Sequence, residues 1–137
     1  MAKHFILISL IFIMGCKQEV IESTCDLSVL IDSYAFNNDS SNNYSIDSIE
    51  IENNCLIINF GSSGCDASSW QEKLIDSEEI LESFPPQRNL IFSLENNEIC
   101  LAYFTKEVSF DISELQIDNQ SSVVLNFGDG NQLLYQY

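Results

Sequence analysis

Five cysteines (Cys16, Cys25, Cys55, Cys65 and Cys100) and 21 Asp and Glu residues are the side chains of this 137-residue chain with chemistry to offer. The only histidine is His4. Paired carboxylates can act as acid and base across a scissile bond, and Glu78, Glu79 and Glu82 form the densest such group. Trp70 is the only tryptophan, so no sugar platform accompanies them, and a solvated acidic face explains them more simply. Gly61-Ser62-Ser63-Gly64 lacks the five-residue G-x-S-x-G elbow and no S-x-x-K occurs, so serine catalysis has no frame. Hard oxygen ligands for calcium are offered by Asn37-Asn38-Asp39 with Asn42, and by Asp129 with Asn131. Neither follows the D-x-[DN]-x-[DN]-G pattern. Asp47-Ser48-Ile49 matches a short O-glycosylation pattern, and Trp70, Tyr34, Tyr44, Tyr103, Tyr135 and Tyr137 could build a ligand-binding face. Strand aromatics, however, usually pack into a core or against a neighbouring strand.

The charge excludes whole classes of partner. With 5 Lys and Arg against 21 Asp and Glu, the formal net charge is −16. Such a chain repels phosphate backbones and offers no basic patch to anionic headgroups, so no nucleic-acid partner is expected. An acidic surface suits a cationic partner, and it also keeps a tethered protein soluble.

The N-terminus reads as an address. Lys3 is a short positive region, and Phe5 to Met14 is an apolar run broken only by Ser9. Ten residues make roughly 15 Å of helix, too short for a ~30 Å hydrocarbon core, so a signal peptide is the better account. Ile13-Met14-Gly15-Cys16 directly behind it resembles the lipobox of bacterial lipoproteins. That resemblance implies cleavage after residue 15 and lipid attachment at Cys16: a diacylglyceryl group on sulfur and an acyl chain on the new N-terminus. More than one chain makes anchoring stable without a membrane span. Lys17 stands where such proteins carry Asp when retained at the inner membrane, so the expected location is the cell envelope, at the periplasmic or surface face of the outer membrane. Residues 16–24 form a tether and 25–137 a single domain. Processing removes Lys3 and His4, leaving a balance of −17 and no histidine. Histidine-dependent catalysis and the common zinc sites are thereby excluded, and no cofactor or metal is expected.

The elements that must position these residues are strands. Short runs rich in Ile, Val, Phe and Tyr alternate with Asn, Ser, Gly and Asp clusters, the signature of an all-β antiparallel sandwich, immunoglobulin-like in general architecture. The alternation predicts strands near 27–34, 45–52, 55–60, 67–75, 89–95, 98–105, 107–112, 121–127 and 132–137. Two-residue turns are expected at Asn53-Asn54, Asn96-Asn97 and Asp129-Gly130, whose residues tolerate positive φ. The Asn96-Asn97 turn would set Glu95 opposite Glu98. Residues 37–43 read as a polar loop, and Leu74 to Phe84 is the one plausible helix, stopped by Pro85-Pro86.

With Cys16 lipidated, four cysteines remain, and an even number in an exported chain reads as two disulfides. Cys55–Phe60 reads as a strand, Gly61–Gly64 as a four-residue turn and Cys65 as the start of the returning strand, which sets Cys65 opposite Phe60, roughly 17 Å along the strand from Cys55. That disfavours Cys55–Cys65, because bridged Cα atoms lie about 4.4–6.8 Å apart. The other two connectivities stay open on geometry.

Asn54-Cys55-Leu56-Ile57-Ile58, Gly64-Cys65, Ser69-Trp70, Pro85-Pro86-Gln87, Cys100, Thr105-Lys106-Glu107, Ser109-Phe110-Asp111 and Leu133-Leu134-Tyr135 occur in an order that resembles small lipoproteins of Bacteroidota-type bacteria. The resemblance covers roughly residues 44–137. It implies no activity. It does favour Cys65–Cys100, and hence Cys25–Cys55. The expected role is that of a lipid-anchored, non-enzymatic binding or structural module whose protein or glycan partner is unspecified. The alternatives are an inhibitor or immunity-type protein using its acidic face, and a carboxylate-only hydrolase of envelope polysaccharide.

Overall fold

Alternation of apolar and polar residues decides which face of each strand is buried. In the computed structural model, which describes residues 24–41, 43–128 and 130–137, Leu56, Ile58 and Phe60 point into the core, while Ile57 and Asn59 are half-exposed. They belong to β4 (Cys55–Gly64), which pairs antiparallel with β3 (Ser45–Glu52) and with β7 (Ala102–Asp111). With β1 (Leu27–Ser28) these make a four-stranded sheet ordered β1-β7-β4-β3. The second sheet is ordered β2-β5-β6-β8-β9, from β2 (Leu30–Ile31), β5 (Gln71–Leu81), β6 (Gln87–Glu95), β8 (Ser122–Phe127) and β9 (Gln132–Gln136). The expected all-β sandwich is present.

Its core interleaves Leu56, Ile58, Phe60, Val108 and Phe110 of the first sheet with Leu74, Leu90, Phe92, Val123, Leu125 and Tyr135 of the second. The chain enters by crossing between the sheets: β1 lies parallel to β7, β2 lies parallel to β5, and buried Val29 plugs the gap. Crossovers also explain why β6 and β8 are parallel, because β7 between them belongs to the other sheet.

The disulfides are Cys25–Cys55 and Cys65–Cys100. The pairing is the one the resemblance favours, although the expected turn between Cys55 and Cys65 is absent. Gly61–Gly64 is no turn; it continues β4, with Gly61 opposite Thr105 and Gly64 opposite Ala102. Cys55 and Cys65 are kept apart because they lie at opposite ends of one strand, roughly 33 Å apart.

Other local expectations change too. The run 27–34 is two short strands followed by helix α1 (Ser33–Asn38), which Asp32 caps by accepting from Ala35 N–H at 2.9 Å. Residues 98–105 and 107–112 are not two strands, since β7 runs unbroken from Ala102 to Asp111. Leu74–Phe84 is not helical; it is mostly β5, whose ladder to β6 slips between Asp76 and Ile80, with Glu78 at φ 68°. Asn53-Asn54 forms its hairpin, Glu52 facing Cys55. The β8–β9 hairpin also forms, through a turn longer than two residues in which Gly130 (φ 91°) donates to the Phe127 carbonyl. Asn96-Asn97 makes no hairpin. Glu95 pairs with Gln71, and residues 96–101 carry the chain across to the other sheet.

The signal peptide, Cys16 and all of the tether but Thr24 lie outside the described residues, as do Asn42 and Asp129.

Candidate functional site

The strand directions give the sandwich two distinct ends. β4 runs from Cys55 to Gly64 and β6 from Gln87 to Glu95, and Asn96 Nδ2 joins their far ends by donating to Ser62 Oγ (3.1 Å) and to the Ser63 carbonyl (2.8 Å). The crossover 96–101 sits at this end. It raises two large apolar side chains, Ile99 and Leu101, each 91% exposed. They flank Cys100, whose bridge to Cys65 ties the loop to the end of β4.

Glu98 ties it a second time. Its Oε2 accepts from the backbone N–H groups of Cys65, Asp66 and Ala67, and its Oε1 from Ser69 Oγ at 2.8 Å and Ser69 N–H at 3.4 Å. Ala67 takes φ 62°, which helps successive N–H groups converge on one carboxylate. Burial opposes ionisation of Glu98, yet the Ser69 hydroxyl and the Cys65, Asp66 and Ala67 N–H groups outweigh it and hold the pKa at about 2. Glu98 is therefore a fixed anion. A loop with two exposed apolar side chains is in this way held in one conformation before any partner arrives, which lowers the entropy lost on binding.

Beside this loop lies a polar cleft of about 390 Å³ bounded by Asp39, Asn43, Lys73, Ser93, Glu95 and Asn96. A second depression of about 360 Å³ shares Asn43 and Asn96 and runs along Glu98, Ile99 and Leu101. Asp39 and Glu95 border the first cleft together with Lys73, and Asp66 lies beside Glu98, to which its N–H donates. The Asp39 carboxylate accepts from Ser93 Oγ at 2.6 Å and Ser41 Oγ at 2.7 Å, and Glu95 Oε1 accepts from Asn97 at 3.3 Å. The domain has few cations to set against them. Of Lys73, Arg88 and Lys106, Arg88 is buried against Asp76 and Lys106 is paired with Glu72.

The groups singled out by sequence are dispersed. Glu78, Glu79 and Glu82 sit on an exposed arm formed by the β5–β6 hairpin, and Glu78 accepts from Ser33 Oγ at 3.0 Å. Asn37 and Asn38 donate their side-chain amides to the Ser33 and Tyr34 carbonyls. Ser48 is exposed on edge strand β3, where its ladder to β4 is irregular. The aromatics divide: Trp70 and Tyr135 are core residues, Tyr44 and Tyr137 are half-buried, and Tyr34 and Tyr103 are exposed. Sequence reasoning missed the 96–101 loop as a site. Its only signal was Ile99-Cys100-Leu101 following the polar Asn96-Asn97-Glu98, which read as the start of a strand.

No protein family matches this chain by sequence, and no curated protein does. Solved structures resemble it. A protein described as toxin-related from Parabacteroides distasonis superposes with a TM-score of 0.57 at 18% identity, over 80% of this chain and 61% of that one. A NigD-like immunity protein from Bacteroides caccae gives 0.56 at 10% identity, over 80% and 59%. A protein of unknown function, DUF1344, from Bacteroides vulgatus gives 0.51 at 15% identity, over 81% and 56%. The likeness is one of fold. This chain spans less than two thirds of each neighbour's length.

Proposed function

We propose that this chain is a lipid-anchored cell-envelope protein that acts by binding another protein, with no catalytic step of its own. The observation that carries this reading is the 96–101 loop: Ile99 and Leu101 stand 91% exposed in a segment fixed by Cys65–Cys100 and by Glu98. Protein interfaces draw most of their energy from a few apolar anchors that enter a pocket on the partner, inside a polar rim. Here the anchors are Ile99 and Leu101 and the rim is acidic, so the matching surface is an apolar pocket bordered by Lys and Arg. That is the form an inhibitor or immunity-type protein takes, and the fold shared with a NigD-like immunity protein supports this finer reading. The anchor is Cys16, on the resemblance of residues 13–16 to a lipobox, and the outer membrane follows from Lys17.

Two experiments test it. The full chain, solubilised from membranes, should co-purify with a protein partner in stoichiometric amount. The Ile99→Asp/Leu101→Asp variant should lose that partner while keeping its thermal transition; retention of the partner would refute the assignment. Changing Cys16→Ser should release the chain from the membrane fraction, and a Cys16→Ser chain that stays there would end the anchoring argument.

A further inference from the structure

The end of the sandwich opposite the 96–101 loop carries its own exposed apolar group. Beyond Asp76 the β5–β6 hairpin leaves the body of the domain as an arm in which residues 78–84 are all exposed. At its tip Phe84 is 95% exposed, with Ile80 (47%) and Leu81 (40%) behind it. The tip is shaped locally: Ser83 Oγ donates to the Pro85 carbonyl at 2.6 Å, and Gln87 Nε2 donates to Ser83 Oγ at 3.0 Å.

This arm shares an end with the start of the folded chain. Cys25 is bridged to Cys55, and Asn54 beside it accepts from Tyr135 Oη at 2.6 Å. Tyr135 pairs with Val123, and Val124 N–H donates to the Pro86 carbonyl at 2.9 Å, at the base of the arm. Thr24 and Phe84 therefore both lie at the end away from Ile99. Between Cys16 and Thr24 there are eight residue steps, a reach of at most about 28 Å. A lipid on Cys16 holds this end, and not the other, against the bilayer.

We infer that the Phe84 tip seats on the lipid bilayer surface beside the anchor and sets the upright orientation of the domain. The inference rests on the Cys16 anchoring proposed above. An aromatic ring with two aliphatic neighbours suits the boundary between headgroups and acyl chains. Glu78, Glu79 and Glu82 flank the tip, so the surface it fits is zwitterionic; anionic headgroups would repel it. Acyl chains supply the affinity and the tip supplies direction. The 96–101 loop then faces outward, a ten-residue strand length (roughly 33 Å) beyond the seated end.

The test uses the acylated full chain in phosphatidylcholine vesicles, with Phe84→Trp or Ile99→Trp as reporter and buried Trp70 as constant background. The expected result is a blue shift at position 84 and quenching there by brominated acyl chains, with neither at position 99. Vesicle-bound protein whose position 84 behaves like position 99 overturns the seating and leaves the anchor intact. Protein that fails to float with vesicles overturns the anchoring itself, and the seating with it. A blue shift at 84 that appears without vesicles and grows with protein concentration assigns the tip to a second copy of the chain, which also overturns the inference.

Discussion

Glu98 occupies the space that a side chain on Gly64 would need: a Cβ on Gly64 would collide with Glu98 Oε2 and press on Trp70 at 3.1 Å. Gly64→Ala should therefore expel the carboxylate from its five donors and cost about 1–3 kcal/mol, as overpacking of a filled site does. Gly61→Ala is the control. Its Cβ would overlap the hydroxyl end of the Tyr103 ring, but that ring is exposed and can swing outward at the cost of its hydrogen bond to Ser45 Oγ. Thermal denaturation should show a clear loss for Gly64→Ala and a smaller one for Gly61→Ala.

Acid should act through the same carboxylate. Glu98 has a folded pKa of about 2 against an ordinary 4.5, so its contribution is complete above pH 4.5 and is lost as pH falls toward 2. Asp26 and Asp66 are also held below the usual range, mainly by hydrogen bonds from Ser109 and Ser68, and weaken in the same direction. The Glu98 share is isolated by comparison with Glu98→Gln. The stability gap between wild type and variant should close between pH 4.5 and 2, read by denaturant titration at each pH.

A different site governs the second sheet. Arg88 donates Nη2–H to Asp76 Oδ1 at 2.8 Å and Nε–H to Oδ2 at 3.0 Å, with both residues buried. Asp76 Oδ1 also accepts from Glu78 N–H at 2.8 Å, which fixes the start of the exposed arm. Removing one partner leaves an uncompensated buried charge, so Arg88→Ala should cost about 3–5 kcal/mol. Arg88→Met with Asp76→Asn, which removes both charges, should cost less than Arg88→Ala alone in chemical denaturation.

Elements ruled by side-chain alternation were legible in the sequence; elements ruled by a distant partner were not. The core faces of β8, β9 and the Cys55–Phe60 half of β4 follow the period-two pattern, β3 keeps it on either side of its slip between Ile46 and Ser48, and Asn53-Asn54 announces its hairpin. The first half of β5 falls within the expected strand 67–75, but its second half hid because Asp76 and Ser77 are polar residues turned inward, which breaks the pattern, and the Arg88 that satisfies Asp76 lies twelve positions away. Asn96-Asn97 has turn chemistry, but Glu98 binds backbone donors around 30 residues earlier, and no local pattern reveals a carboxylate aimed at backbone N–H groups. The site follows from that crossover. Residues 96–101 bridge the two sheets and leave Ile99 and Leu101 outside both.

The 96–101 loop is proposed to meet a protein. The most direct measurement places a photo-crosslinking amino acid at Ile99 of the full chain in intact cells, with a second at Glu50 on exposed edge strand β3 as control. One discrete protein adduct is expected from position 99 and none from position 50. No adduct at 99, or the same adducts from both positions, would contradict the proposal.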